Sequence, residues 1–352
     1  SRCPLHPESI QFAFNMVDQI ATAHPQTRYI HIGADEVYQL GSCPKCSEYL
    51  KNHSKSELYI SYINQVAKRV LEKGKIPIMW HDYLQKFPEN LDLLDKNIVV
   101  MYWIYQTWRN LPETDQILPG YDFFKEKGSK VMGAPSISSD FEMLLPNYRT
   151  RIENIAGQAQ RCMESQSLGL LLTSWVVCAN PLDTQLVGTA IAGSLMWSPI
   201  QNWREIPWKI FDAAIQTQFF GIPLQKQIEW LETLANAAEL ARRIYPNETA
   251  RELIPEAIEK TIALKSLATQ GTVVVESMLL GLEFRKICGE LIQIYFQINK
   301  YFKGYAENED DFCPIPSIEL LQVVAEKINQ KIQEFQKIQE KAASYYTQET
   351  HQ

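Results

Sequence analysis

The sequence predicts an α/β fold of repeated βα units, followed by an all-helical region. Three observations carry this. Five short apolar runs begin near residues 30, 76, 98, 130 and 168, on average about 35 residues apart. Helical periodicity fills the gaps between them, and after residue 207 strand-like runs become scarce. The spacing suits parallel strands joined by helices. Polar or aromatic residues cluster just after each run. Those are strand C-termini, where α/β barrels and open α/β sheets place their ligands.

Taken in order, residues 9–24 read as a helix with Ile10, Phe14, Val17 and Ile20 on one face. The first strand, residues 29–32, ends in Gly33-Ala34-Asp35-Glu36-Val37-Tyr38. A second helix spans 56–73, with Gly74 as its C-cap. The second strand, 76–80, closes on Trp80 and is followed by His81-Asp82, and a short helical piece covers 91–94. The third strand, 98–103, closes on Trp103. A helix near 121–127 precedes the fourth strand, 130–133, and a helix over 149–165 precedes the fifth, 168–173. Ser174-Trp175 follows, and residues 184–196 form a helix of small residues. Residues 250–268, 273–301 and 317–345 are long amphipathic helices, with an acidic loop at 307–311 before Pro314 and Pro316. The expected division is a catalytic domain over 1–207 and a helical domain over 208–352, joined through a proline-containing segment near 203–208.

Hydrophobic residues make up 45% of the chain and charged residues 21%, enough apolar material for a sizeable core. The net charge of −7 argues against a nucleic-acid binder, which needs a basic patch. Eight Trp and 16 Tyr suit large cores, and equally suit stacking on flat sugar faces. No apolar run is long enough to span a bilayer, so no membrane partner is expected. Seven Cys over this length fit a reducing compartment better than a disulfide framework, and a cytoplasmic location is the expectation.

The sharpest chemical feature is Asp35-Glu36. Inside a regular strand neighbouring side chains point to opposite faces, so both carboxylates reach one pocket only where the strand breaks into its loop. There they push each other's pKa apart, and one can hold a proton near neutral pH while the other stays ionised. A lone Asp-Glu also reads as a solvated pair capping a turn. Gly33, the apolar run before it and the later tryptophans favour the pocket. Trp80, Trp103 and Trp175 each close a different run; pocket wall and core remain alternatives for each. Asp82, just past Trp80, is placed to bond sugar hydroxyls, and His31 is either a pocket or a core residue.

The segment His31-Ile32-Gly33-Ala34-Asp35-Glu36-Val37 resembles the corresponding segment of the family 20 glycoside hydrolases, the β-N-acetylhexosaminidases. With Tyr38, Leu40 and Gly41 it is most similar to the hexosaminidase D branch. The resemblance covers roughly residues 1–200 and implies a (β/α)8 TIM-type barrel with the Asp-Glu strand fourth. Five strands are legible here, so the barrel is expected to be N-terminally incomplete, lacking strands one to three, roughly 100 residues. Residues 1–352 alone are then expected to be inactive.

The same resemblance implies substrate-assisted retaining hydrolysis of terminal N-acetylhexosamine, with no metal or organic cofactor. Glu36 is then the general acid and Asp35 holds the acetamido N–H and stabilises the charge that develops there. Trp80, Trp103 and Trp175 wall the sugar. Where many members carry Tyr-x-Asp, this chain has Gly133-Ala134-Pro135-Ser136, leaving Tyr102 or Tyr105 as candidates for the acetamido oxygen. Where many carry Trp-x-Glu, it has Trp175-Val176-Val177, with Asp183 or Asn180 as substitutes.

The implied partners are N-acetylhexosamine-terminated glycans, and the long C-terminal helices leave room for a homo-oligomer. Two other readings differ in class: a non-catalytic glycan-binding protein, and an interaction protein whose helices act while the barrel serves as scaffold. Cys43-Pro44-Lys45-Cys46 is a single Cys-x-x-Cys, and no other pair repeats its spacing. Loop structure is the preferred reading, with redox or metal chemistry as alternatives.

Overall fold

The computed structural model describes residues 3–105, 119–139, 142, 144–175, 181–242, 245–303 and 318–349. Val176, Val177, Asn180, the acidic loop at 307–311, Pro314 and Pro316 lie outside the described residues. The chain divides into two compact units. One comprises Ser1–Pro135, Ala156–Leu172 and Ser198–Trp203; the other comprises Ser136–Ile155, Thr173–Trp197 and Arg204–Gln352.

The first unit is built on four parallel strands in sequence order: β1 (Tyr29–His31), β2 (Ile76–Trp80), β3 (Val99–Trp103) and β4 (Lys130–Ala134). Helix α1 (Pro7–Ala23) precedes β1. Its start is set by Pro7 at the first helical position and by His6, whose Nδ1 accepts the Glu8 N–H at 3.3 Å. Helices α2 (Pro44–Tyr49) and α3 (Lys55–Glu72) lie between β1 and β2. A reciprocal cap between Ser54 and Glu57 starts α3. Gly74 at φ +70° ends it, donating to the Leu71 carbonyl while Lys75 donates to that of Val70. Helix α4 (Pro119–Glu126) precedes β4. The piece read as helix at 91–94 is a 3₁₀ turn, Pro88–Leu93.

The two-residue period of the strands sorts the sheet into faces. Ile78, Val99, Met101 and Ala134 form one buried cluster, with Tyr29, Ile76, Trp80, Trp103 and Met132 packed against it. Ile30 lies on the opposite face and packs with Val17 of α1 and Val66 and Val70 of α3. Each such side chain contributes about 1.5–3 kcal/mol when fully buried. Trp80 and Trp103 therefore belong to the same face as the inner apolar cluster, at the last position of their strands.

The fifth apolar run is divided. Residues 168–171 bond alongside β4: Leu168 N–H to the Val131 carbonyl, Gly133 N–H to that of Gly169, and Leu171 N–H to that of Gly133, at 2.9–3.0 Å. Gly169, at φ +147°, takes a backbone conformation open to glycine, and pairing with β4 continues past it to Leu171. A side chain at Gly133 would collide with the Tyr121 hydroxyl, which explains the glycine in β4. Among the described residues the sheet does not close into a barrel.

In the second unit, β5 (Ser136–Ser138) pairs in parallel with β6 (Thr173–Ser174); helix α5 (Tyr148–Glu164) starts in this unit and its residues from Ala156 onward are assigned to the first. Beyond them come α6 (Leu182–Trp197), α7 (Trp208–Gln218), α8 (Leu231–Ala237), α9 (Glu248–Leu267), α10 (Thr272–Lys303) and α11 (Ile318–Glu349). Helices α5, α6, α9, α10 and α11 agree with the sequence expectation to within about two residues at most ends, whereas α7 and α8 are not individually expected from the sequence. A short antiparallel ribbon, β7 (Leu240–Arg242) with β8 (Tyr245–Pro246), departs from it. Leu280, Phe284 and Ile287 of α10 pack with Ile338 of α11. Buried Arg285 donates to the carbonyls of Leu145 and Ala238, and burial lowers its pKa to about 10. No helix among the described residues is long and apolar enough to cross a membrane.

Candidate active site

The chemistry-bearing residues of the first unit gather where β1, β2 and β3 end. Pairing of β1 with β2 runs past His31: the Ile32 N–H reaches the Ile78 carbonyl at 2.8 Å, and the Trp80 N–H reaches that of Gly33 at 3.0 Å. The backbone then leaves the extended region. Gly33 has φ +73°, Ala34 +79° and Glu36 +46°. Left-handed conformations at non-glycine residues cost of order 1–3 kcal/mol each and persist only where surrounding bonds hold them. Here the holding bonds are identifiable. Tyr59 of α3 donates its hydroxyl to the Ala34 carbonyl at 2.6 Å, and the Glu36 N–H donates to Asp82 Oδ2 at 2.9 Å. This break in alternation is what brings Asp35 and Glu36, adjacent in sequence, out of regular strand geometry together.

Asp82 links three strand ends. Its Oδ2 takes the backbone of Glu36, and its Oδ1 accepts the Trp103 indole Nε1–H at 3.3 Å. Trp103 in turn stacks on Tyr105, with ring centroids 5.2 Å apart and planes 25° from parallel. Trp80 lies against the His31 imidazole at 4.4 Å. Both indoles are half-buried, so each covers core on one side and offers surface on the other. That combination is what stacking on a sugar face requires.

The electrostatics are uneven. Partial withdrawal from water raises the Asp35 pKa, and the neighbouring charges of Asp82 and Glu36 add to the effect. The neighbouring Glu36 carboxylate raises the pKa of the exposed Tyr38 hydroxyl. Two histidines underlie the site in neutral form, both lowered by burial to about 4. His31 Nδ1 accepts the Gly33 N–H at 3.0 Å, and its Nε2 is buried with no hydrogen-bond partner among the described residues. His81 Nδ1 accepts the Trp103 N–H at 3.3 Å, fixing the backbone at the end of β3.

Six of the sequence candidates thus lie on the ends of neighbouring strands: Asp35, Glu36, Trp80, Asp82, Trp103 and Tyr105. Trp175 belongs to the second unit, where it follows β6 and its N–H donates to the Ser138 carbonyl at 3.0 Å. Of the two tyrosines weighed for the acetamido oxygen, Tyr102 is buried, its ring against His81 and Tyr121. One position before Trp103, it faces the other side of the sheet; Tyr105 remains beside the indole. Sequence reasoning assigned no role to Tyr59 or Tyr38. Nothing local to Tyr59 signals its bond to a carbonyl 25 positions earlier. Tyr38, two residues from the acid, was within reach.

Residues 1–123 match the glycosyl hydrolase family 20 catalytic domain, and the resemblance read at His31–Val37 is borne out there. Bovine (Bos taurus) Hexosaminidase D is 34% identical over 91 residues, covering 25% of this chain and 26% of that protein. The chain therefore spans about a quarter of the length of this curated relative. A β-N-acetylhexosaminidase of Bacteroides fragilis is similar in structure over 60% of this chain and 45% of its own, at 19% identity and a TM-score of 0.46. A GH138 enzyme targeting pectin rhamnogalacturonan II is 10% identical, with a TM-score of 0.53 over 96% of this chain and 47% of its own; that likeness is one of fold.

Proposed function

We propose that this chain carries the acid-bearing part of a β-N-acetylhexosaminidase, which removes terminal N-acetylhexosamine from glycoconjugates by substrate-assisted retaining hydrolysis. The observation that carries the reading is the Asp35-Glu36 pair at the break after β1, with the Glu36 backbone bonded to Asp82. The family match over residues 1–123 supports it.

In this reading the substrate's own 2-acetamido oxygen attacks the anomeric carbon as the bond to the leaving oxygen breaks, giving an oxazolinium ion. Glu36 delivers its proton to the leaving oxygen and later takes one from the incoming water. Asp35 accepts the acetamido N–H and offsets the positive charge that grows on that group. Its raised pKa reports partial desolvation of a carboxylate that still faces solvent, open to the substrate. Trp80 and Trp103 present half-buried rings to the sugar, and Asp82 holds the acid-bearing loop against β3. The sugar-stacking tryptophans and Tyr105 set the ring's place relative to Glu36, and rate depends steeply on that placement.

The test is hydrolysis of chromogenic N-acetylglucosaminide and N-acetylgalactosaminide by the full-length protein. Release of the chromophore with retained anomeric configuration supports the proposal. Sugar binding without turnover would instead make this a glycan-binding protein.

A further inference from the structure

The structure brings a third cysteine to the Cys-x-x-Cys segment. Cys3, in the stretch before α1, places its sulfur 3.3 Å from that of Cys43 and 3.4 Å from that of Cys46. The three sulfurs lie within 4.8 Å of one another, and all three residues are free cysteines. Cys43 is the N-cap of α2, and its sulfur accepts the Cys46 N–H at 3.5 Å. An N–H directed at a sulfur favours its thiolate form, as hydrogen-bond donors do around metal-bound cysteines. Three sulfurs about one point are more than a disulfide needs, which joins two and strands the third. They match what a tetrahedral thiophilic cation takes. With metal–sulfur bonds of about 2.3 Å, tetrahedral geometry spaces sulfurs about 3.8 Å apart, so small side-chain shifts bring these three into place.

We infer that Cys3, Cys43 and Cys46 form a binding site for a thiophilic divalent cation of the zinc class. Each thiol that ligates gives its proton to solvent, and an exogenous donor such as water takes the fourth position. The site has a structural consequence. Cys43 lies seven positions after Glu36, and the cysteines are lined by Val37, Gln39, Leu40 and Gly41 of the intervening loop. A bound cation therefore clamps the loop that leaves Glu36 to the segment ahead of α1. The Ser47 hydroxyl, bonded to the Gly41 carbonyl at 3.0 Å, ties the same loop from the other side.

The full-length protein, reduced and freed of metal, is titrated with zinc, then desalted and assayed for metal content. In parallel its thiols are alkylated with iodoacetamide and mapped by peptide mass spectrometry. The expected result is one zinc retained per chain and selective protection of Cys3, Cys43 and Cys46. Cobalt(II) in place of zinc should give thiolate-to-metal charge-transfer absorption. Cys3→Ala removes a ligand and should lower zinc affinity by more than the roughly 10- to 100-fold that loss of an outer-shell partner costs, while Cys162→Ser, a buried cysteine outside the cluster, should leave it unchanged. Because Cys46 is buried and its replacement tests folding as well, the protection pattern in the unmutated protein decides the matter. Alkylation of the three cysteines at the same rate with and without zinc would overturn the inference. A disulfide between two of them persisting in protein purified with zinc would overturn it too.

Discussion

Asp82→Asn removes one of two acceptors from a side chain whose two protein partners are both donors. In the structure Oδ2 takes the Glu36 N–H at 2.9 Å and Oδ1 takes the Trp103 Nε1–H at 3.3 Å. An amide has one oxygen, so whichever donor it serves, the other faces an NH₂ group. Hydrogen bonds to charged acceptors are worth about 1.5–3 kcal/mol. If that energy holds Glu36 in its left-handed conformation, its loss lowers kcat about 10- to 150-fold, at 1.36 kcal/mol per tenfold. The assay is steady-state hydrolysis of an aryl N-acetylglucosaminide by the full-length protein, with a thermal melt to confirm folding. The split between kcat and KM separates two roles. Positioning of the acid lowers kcat with KM nearly unchanged. A raised KM with normal kcat would show that Asp82 binds sugar hydroxyls and does not position Glu36, refuting the reasoning.

Glu36→Gln should lower kcat about 10²- to 10⁴-fold on substrates with poor leaving groups and far less on activated aryl glycosides, which need little protonation; equal losses on both would remove Glu36 from the acid role. Asp35→Asn should lower kcat about 10²- to 10³-fold, the usual cost of losing one transition-state partner. It should also raise Tm at neutral pH. Asp35 has a folded pKa above its unfolded value, so its ionised form costs stability above that range and the cost vanishes on protonation. A lower Tm at pH 7 would contradict the sign. His81 has the opposite linkage: its pKa falls from 6.5 to about 4 on folding, so stability is full above pH 6.5 and is lost as pH falls toward 4. That is about 3 kcal/mol from this group. Urea melts of His81→Gln at pH 7.5 and 4.5 should show a correspondingly smaller acid loss, and an unchanged difference would show that His81 does not drive it.

What could be read from the sequence was what is local along the chain. Strands ending at Trp80 and Trp103 follow from apolar runs of the right length, and both indoles share a face because strand side chains alternate. The same alternation, applied strictly, would have removed Tyr102 in favour of Tyr105. The adjacency of Asp35 and Glu36 made the strand break legible. The bonds that stabilise the break were not, because Tyr59 and Asp82 come from 25 and 46 positions away. Cys3 was invisible as a partner of Cys43 and Cys46 for the same reason: Cys43 lies 40 positions on, past a helix and a strand, and no spacing rule links a lone cysteine to a distant pair. The fifth run reads as one strand because its residues are apolar, yet residues 168–171 bond alongside β4 while Thr173–Ser174 pair with β5. Apolar content sets which residues are buried, and the pairing partner, which comes from elsewhere in the chain, sets which strand each part of a run joins.

In the proposed reaction the substrate's acetamido group is the nucleophile, with Asp35 and Glu36 serving it. The most direct test is the rate of hydrolysis across a series of aryl N-acylglucosaminides whose acyl group carries none, one, two or three fluorines. Fluorine drains electron density from the attacking carbonyl oxygen and leaves the leaving group untouched. A steep fall in kcat/KM along the series is predicted for the full-length protein, while a flat dependence would contradict substrate assistance and require a nucleophile from the enzyme or from water.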